Sequence, residues 1–157
     1  MSGALVVQQS NDPAALGYAE QQEFITMHVG GQLFGVSVMA VQDVLRHQSI
    51  AKVPLSQDVV AGSLNLRGRI VTAIDMRVRL GMDPFEDYSA AMHVVVPYKE
   101  EFFSLVVDKV GEVMTLPMQG FEKVPANIDS RWREVSSGVF KLDKSLLIIL
   151  NVSSIIN

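Results

Sequence analysis

Phe24-Ile25-Thr26-Met27-His28-Val29-Gly30-Gly31-Gln32-Leu33-Phe34-Gly35-Val36-Ser37-Val38 is the stretch that decides the fold class. Two short runs rich in β-branched and aromatic residues, 24–29 and 32–38, flank Gly30-Gly31. Adjacent glycines permit the positive φ angles of a primed turn, so the stretch predicts a β-hairpin. In the second arm Phe34, Val36 and Val38 alternate with Gly35 and Ser37, giving that strand one apolar face.

Working outward, Val41, Val44 and Leu45 fall at i, i+3 and i+4 and predict a short amphipathic helix over 40–46. An irregular stretch over 54–68, with a helical turn near 58–62, leads into a strand over 70–74. Asp75 stops that strand, and a turn or short helix runs on to Gly81. The segment 83–90, with Pro84 and the acids Asp83, Glu86 and Asp87, reads as a connector. It divides residues 23–157 into a first half at about 23–82 and a second at about 90–157.

The second half is more plainly β. Strands are expected over 92–97 and 101–107, around Tyr98-Lys99-Glu100, and over 110–116. A loop around 125–133 precedes a last pair, 135–142 and 145–150, joined at Asp143-Lys144. Asn151 is a good N-cap, and Val152, Ile155 and Ile156 repeat at helical spacing, which predicts a short C-terminal helix. Residues 1–22 hold no sustained period and read as a flexible tail. No short-period repeat stands out. Many short strands at close spacing argue for a barrel or sandwich over βαβ units.

With 157 residues the chain is close to one domain length and long enough to bury a core without staples. It has no cysteine, so disulfides and thiolate metal sites are excluded. Lys and Arg total 13 against 17 Asp and Glu, a net charge of -4, which gives no general attraction to nucleic acid or anionic lipid. The longest clear apolar run, 146–150, is strand-sized, and 4–7 is too short for a signal-peptide core. The chain therefore reads as soluble and cytoplasmic, with no direct membrane insertion.

Catalytic patterns are missing. His28, His47 and His93 are scattered, and half-exposed strand positions are the plain explanation for His28 and His93. No H-x-x-x-H spacing, phosphate-cradling glycine motif or G-x-S-x-G occurs. The unusual segment is Gly62-Ser63-Leu64-Asn65-Leu66-Arg67-Gly68-Arg69, followed by Ile70-Val71-Thr72-Ala73-Ile74-Asp75-Met76-Arg77. Gly68 lets the backbone turn into the strand and leaves Arg67 on a loop held by a rigid element, a good recognition platform. The residues alone leave open whether Arg67 meets a partner or merely satisfies loop carbonyls. Arg67, Arg69, Arg77 and Arg79 form a candidate basic patch, with Val78 and Leu80 as core anchors; no aromatic interleaves them as nucleic-acid binding would ask.

Asn65-Leu66-Arg67-Gly68, then Asp75-Met76-Arg77 and Leu80-Gly81 after a strand, resembles the central signature of CheW-like domains. The likeness runs from Phe24 to Ile156 and takes in Phe34-Gly35-Val36, Val41-Gln42-Asp43-Val44, Val107-Asp108, Gly111-Glu112-Val113 and Gly138-Val139. It implies an all-β fold of two packed SH3-like five-stranded β-barrels with short helices, one of them C-terminal, and a groove between the barrels. It also implies a non-catalytic adaptor without cofactor or metal, recruited to receptor arrays at the inner face of the membrane and monomeric when free. Its partners would be the cytoplasmic tips of chemoreceptors (methyl-accepting chemotaxis proteins) and the regulatory domain of a CheA-type histidine kinase. Carried over by position, receptor binding falls on Val41, Asp43, Gly62, Asn65, Arg67 and Gly68, with Asp43 paired to Arg67. Asp43 stands where glutamate is common, Met76 where leucine is usual and Thr72 where proline is frequent.

Three other readings stay open beside the chemotaxis adaptor. The same adaptor fold can serve a non-chemotaxis receptor pathway, a β-barrel can bind a small ligand between its halves, and an enzyme can carry an unrecognised site. The chain ends at Asn157, soon after Asn151, which favours a free-standing adaptor over a kinase fragment.

Overall fold

Gly30 and Gly31 take φ of 57° and 84° and close a hairpin between β1 (Gln21–Val29) and β2 (Gln32–Ser37). The computed structural model describes residues 20–157; β1 starts inside the segment read as tail, and residues 1–19 lie outside the described part. The remaining strands are β3 (Asp43–Leu45), β4 (Val60–Leu66), β5 (Arg69–Asp75), β6 (Met92–Tyr98), β7 (Glu101–Val107) and β8 (Lys109–Pro117). They are followed by β9 (Phe121–Glu122), β10 (Ser136–Lys141) and β11 (Leu146–Leu150). Three short helices complete the fold: α1 (Met76–Arg79), α2 (Ser130–Glu134) and α3 (Val152–Ile156).

The strands form two sheets, ordered β8-β1-β2-β11-β10-β9 and β3-β6-β7-β5-β4. Each draws strands from both halves of the sequence. The links are parallel steps, β2 beside β11 and β5 beside β7, while every other pairing is antiparallel. Each sheet encloses a small core of its own, Phe24, Phe140, Leu147 and Ile149 in one and Ala61, Leu64, Val71, Ala73 and Val106 in the other. A larger core containing Met27, Phe34, Met76, Leu105 and Ile148 is shared between them. This is the all-β, double SH3-like architecture. Central strands face apolar surroundings on both sides, which is why Val94-Val95-Val96 and Leu105-Val106-Val107 are continuous apolar runs.

Four local expectations are corrected. Residues 40–46 are no helix: a single 3-10 turn, Val38–Ala40, gives way to β3, because Val44 and Leu45 gain a ladder against Val94 and His93. The stretch 54–68 is not irregular throughout, since β4 takes Val60–Leu66 in place of the expected helical turn near 58–62; a bulge between Val60 and Gly62 hides its alternation. The loop around 125–133 ends in α2, whose N-cap Asp129 accepts from Arg131 N at 2.8 Å. His93 is not half-exposed but fully buried, its Nδ1 2.8 Å from Ser104 Oγ.

The turns after the central strands are secured by side chains. Asp75, buried, accepts from Val78 N at 3.1 Å and from Tyr88 OH at 2.9 Å, which ties the connector to α1. Burial, reinforced by that bond, pushes the Tyr88 phenol up to about 12. Asn151 caps α3 through Ser154 N at 3.2 Å, as its sequence position predicts. Trp132 donates to the Leu80 carbonyl at 2.8 Å and meets Phe34 edge-on, so α2 clamps the end of α1.

Candidate functional site

The β4–β5 hairpin has a two-residue turn, Arg67-Gly68, with Leu66 and Arg69 as the last opposed pair. Both turn residues have positive φ, 53° and 82°, which is the primed geometry that suits strand twist. Glycine takes that conformation freely; arginine does so at a cost. Asn65 Oδ1 accepts from Gly68 N at 3.0 Å and supports the turn from inside. The signature residues Asn65, Arg67 and Gly68 thus make one compact tip, and Arg67 is 79% exposed on it.

Asp43 reaches this tip from the other end of the sheet order. Its Oδ2 lies 3.4 Å from Arg67 Nη2, and its Oδ1 accepts from Val44 N at 2.9 Å. One carboxylate oxygen is thereby fixed to the backbone and the other to the guanidinium. An ion pair this exposed adds only ~0–1 kcal/mol to stability. Its physical effect is to restrict the arginine before any partner arrives.

The other expected site residues play different parts. Val41 leads from the 3-10 turn into β3 and is half-buried against the shared core. Gly62 lies down β4 at the bulge with φ 151°, where a Cβ would collide with the Ala51 carbonyl. Its requirement is for backbone room.

The basic patch separates into distinct jobs. Arg77 forms a two-pronged pair with Asp108, at 2.8 and 2.7 Å, and Asp108 Oδ2 also accepts from Gly30 N at 3.0 Å. The Arg77 hydrogen bond holds the Asp108 carboxyl below its ordinary value. Arg79 donates to the Ile155 and Ser154 carbonyls and fastens the C-terminal helix. Arg69 remains near the tip, its guanidinium 4.5 Å from the centroid of Phe102. Ile70, 68% exposed and opposite Asn65, adds an apolar element that the sequence reading took as ordinary strand. Its parity with respect to buried Val71 and Ala73 was the available signal.

A family model described as the CheW-like domain matches residues 23–157. The chain belongs to the CheW-like domain family. Two CheW relatives illustrate the likeness. The probable chemotaxis protein CheW of Rhizobium etli is 25% identical over 134 residues, covering 85% of this chain and 86% of the relative. The chemotaxis protein CheW of Thermotoga maritima is 26% identical over 134 residues, covering 85% and 87%. The crystal structure of the scaffolding protein TtCheW from Thermoanaerobacter tengcongensis superposes with a TM-score of 0.75 at 25% identity, covering 84% of this chain and 90% of that one. Among the described residues no helix is long and apolar enough to cross a membrane.

Proposed function

We propose that the chain is a chemotaxis coupling adaptor whose Arg67 tip engages the cytoplasmic end of a chemoreceptor. The observation that supports this most is the oriented arginine: left-handed backbone, Asn65 beneath, Asp43 alongside, side chain open to solvent. An arginine so held presents a flat, forked donor set suited to a carboxylate or amide on a partner helix. Ile70 beside it supplies apolar contact. In this reading Val41 and Gly62 shape the groove floor and backbone, and Asp43, Asn65 and Gly68 position the arginine. The regulatory domain of a CheA-type histidine kinase is the second partner. The adaptor makes and breaks no covalent bond, is monomeric when free, and works in the cytoplasm beneath receptor arrays. The domain over 23–157 carries these contacts, and Gln21 and Gln22 join it through β1.

Direct binding tests the contact. With a receptor cytoplasmic fragment, Arg67→Ala should weaken affinity about tenfold or more, the range of a lost charged hydrogen-bond donor. Asp43→Ala should weaken it less, because the arginine survives but must be ordered on binding. Unchanged affinity in both variants would remove Arg67 from the contact.

A further inference from the structure

The two sheets follow one plan. β3-β6-β7-β5-β4 and β8-β1-β2-β11-β10 present the same succession of edge strand, hairpin, parallel step and hairpin. Asp75 and Asn151 end equivalent strands and cap equivalent helices, and Gly62 and Gly138 sit at equivalent bulges. The registers then fix which residues correspond at the open ends. Val44 faces Val94 just as Val113 faces Ile25, which aligns Asp43 with Glu112, although Glu112 sits at a register shift of β8 between Ile25 and Met27 where Asp43 sits in a regular pair. Ala73 faces Ser104 just as Ile149 faces Gly35, so Arg69 corresponds to Ser145 and Phe102 to Leu33.

The two ends differ in their cations and in the length of one turn. On the five-stranded sheet, Arg69 lies over Phe102 and Arg67 pairs with Asp43. On the six-stranded sheet both arginines are missing: Ser145 replaces Arg69, and the longer turn Leu142-Asp143-Lys144-Ser145 replaces Arg67-Gly68. What remains is an open cavity of about 490 Å³, lined by Thr26, His28, Leu33, Glu112, Met114 and Leu142 among others. Glu112 is exposed and has no cation within 4.0 Å among the described residues, Lys144 included. His28 Nδ1 is buried and has no hydrogen-bond partner. Thr26 Oγ1 is already engaged, donating to the Glu112 carbonyl at 2.7 Å.

We infer that this cavity is a socket for an arginine side chain presented by a partner protein. A guanidinium entering it pairs with the Glu112 carboxylate and, once the His28 ring turns to uncover Nδ1, donates to that nitrogen. Its aliphatic stem lies along Leu33, Met114 and Leu142, as long cationic side chains do on apolar surfaces. An incoming acid would meet Glu112, and a purely apolar group would leave both Glu112 and His28 without a donor. The socket is separate from the Arg67 tip and independent of the receptor reading.

N-acetyl-L-arginine methylamide, titrated into the full chain and followed by amide NMR shifts, is the test. Saturable shifts are expected at Thr26, His28, Gly111 and Glu112, with norleucine in place of arginine giving none. Glu112→Gln, a surface change that leaves the spectrum folded, should weaken binding about tenfold. It should leave affinity for the receptor fragment unchanged, which separates the socket from the Arg67 contact. No saturable shifts at those amides, or equal affinity in Glu112→Gln, would overturn the assignment.

Discussion

Gly62→Val lowers the melting temperature by roughly 6–12 °C, the shift that a loss of about 3 kcal/mol brings in a domain of this size. The reason lies in the backbone. Gly62 has φ 151°, where side-chain-bearing residues are strained, and a Cβ there overlaps the Ala51 carbonyl and comes within 2.7 Å of Ile50 Cγ2. Ala51 exchanges two hydrogen bonds with Ser63, each 2.8 Å, and this bridge covers the outer edge of β4. Valine forces the 50–51 segment away and breaks the bridge. Receptor coupling should fall in the same variant, as a consequence of a displaced β4 and not of a lost contact. Thermal unfolding beside receptor affinity checks this. A variant that melts within about 2 °C of wild type yet fails to bind would make position 62 a contact residue instead.

Acid exposes the second large effect. Burial first, and the charge of nearby His47 second, depress the His93 imidazole from 6.5 to about 4. The folded protein therefore refuses a proton that the unfolded chain accepts. Stability from this group is complete above pH 6.5, is lost steadily as pH falls towards about 4, and levels off below that. At 1.36 kcal/mol per pH unit the total loss is about 3 kcal/mol. His93 lies opposite Leu45 of β3, so the site-bearing edge of the sheet shares the loss. Denaturant melts at pH 7, 5.5 and 4 should show a steeper decline in wild type than in His93→Gln. Parallel declines would mean that the imidazole does not govern acid stability.

Part of this architecture was legible because it is local. The β1–β2 turn announces itself by two glycines, and α3 by an N-cap asparagine followed by apolar residues at helical spacing. The Arg67-Gly68 turn likewise stands out, since a glycine beside a polar residue between two apolar runs has few other uses. β3 resembles a helix in sequence because its few residues carry both periodicities, and only pairing with β6, far along the chain, decides between them. α2 depends on Trp132 reaching Leu80 and Phe34, again a distant contact. The exchange of strands between halves is set by the parallel steps β2–β11 and β5–β7, which leave no local signal.

The site divides in the same way. Asn65, Arg67 and Gly68 are neighbours in sequence and were grouped from it. The 3.4 Å approach of Asp43 needs β3 in place and belongs to the fold. Residues at a sheet's open end, such as Glu112 and His28, have meaning only once the register is known.

Autophosphorylation of the cognate CheA-type kinase with receptor-containing membranes tests coupling most directly, run without the chain, with it, and with Arg67→Glu. Coupling through the Arg67 tip predicts strong stimulation by the wild-type chain and its loss in Arg67→Glu at an unchanged melting temperature. A folded wild-type chain that leaves kinase activity at its receptor-independent level would contradict it.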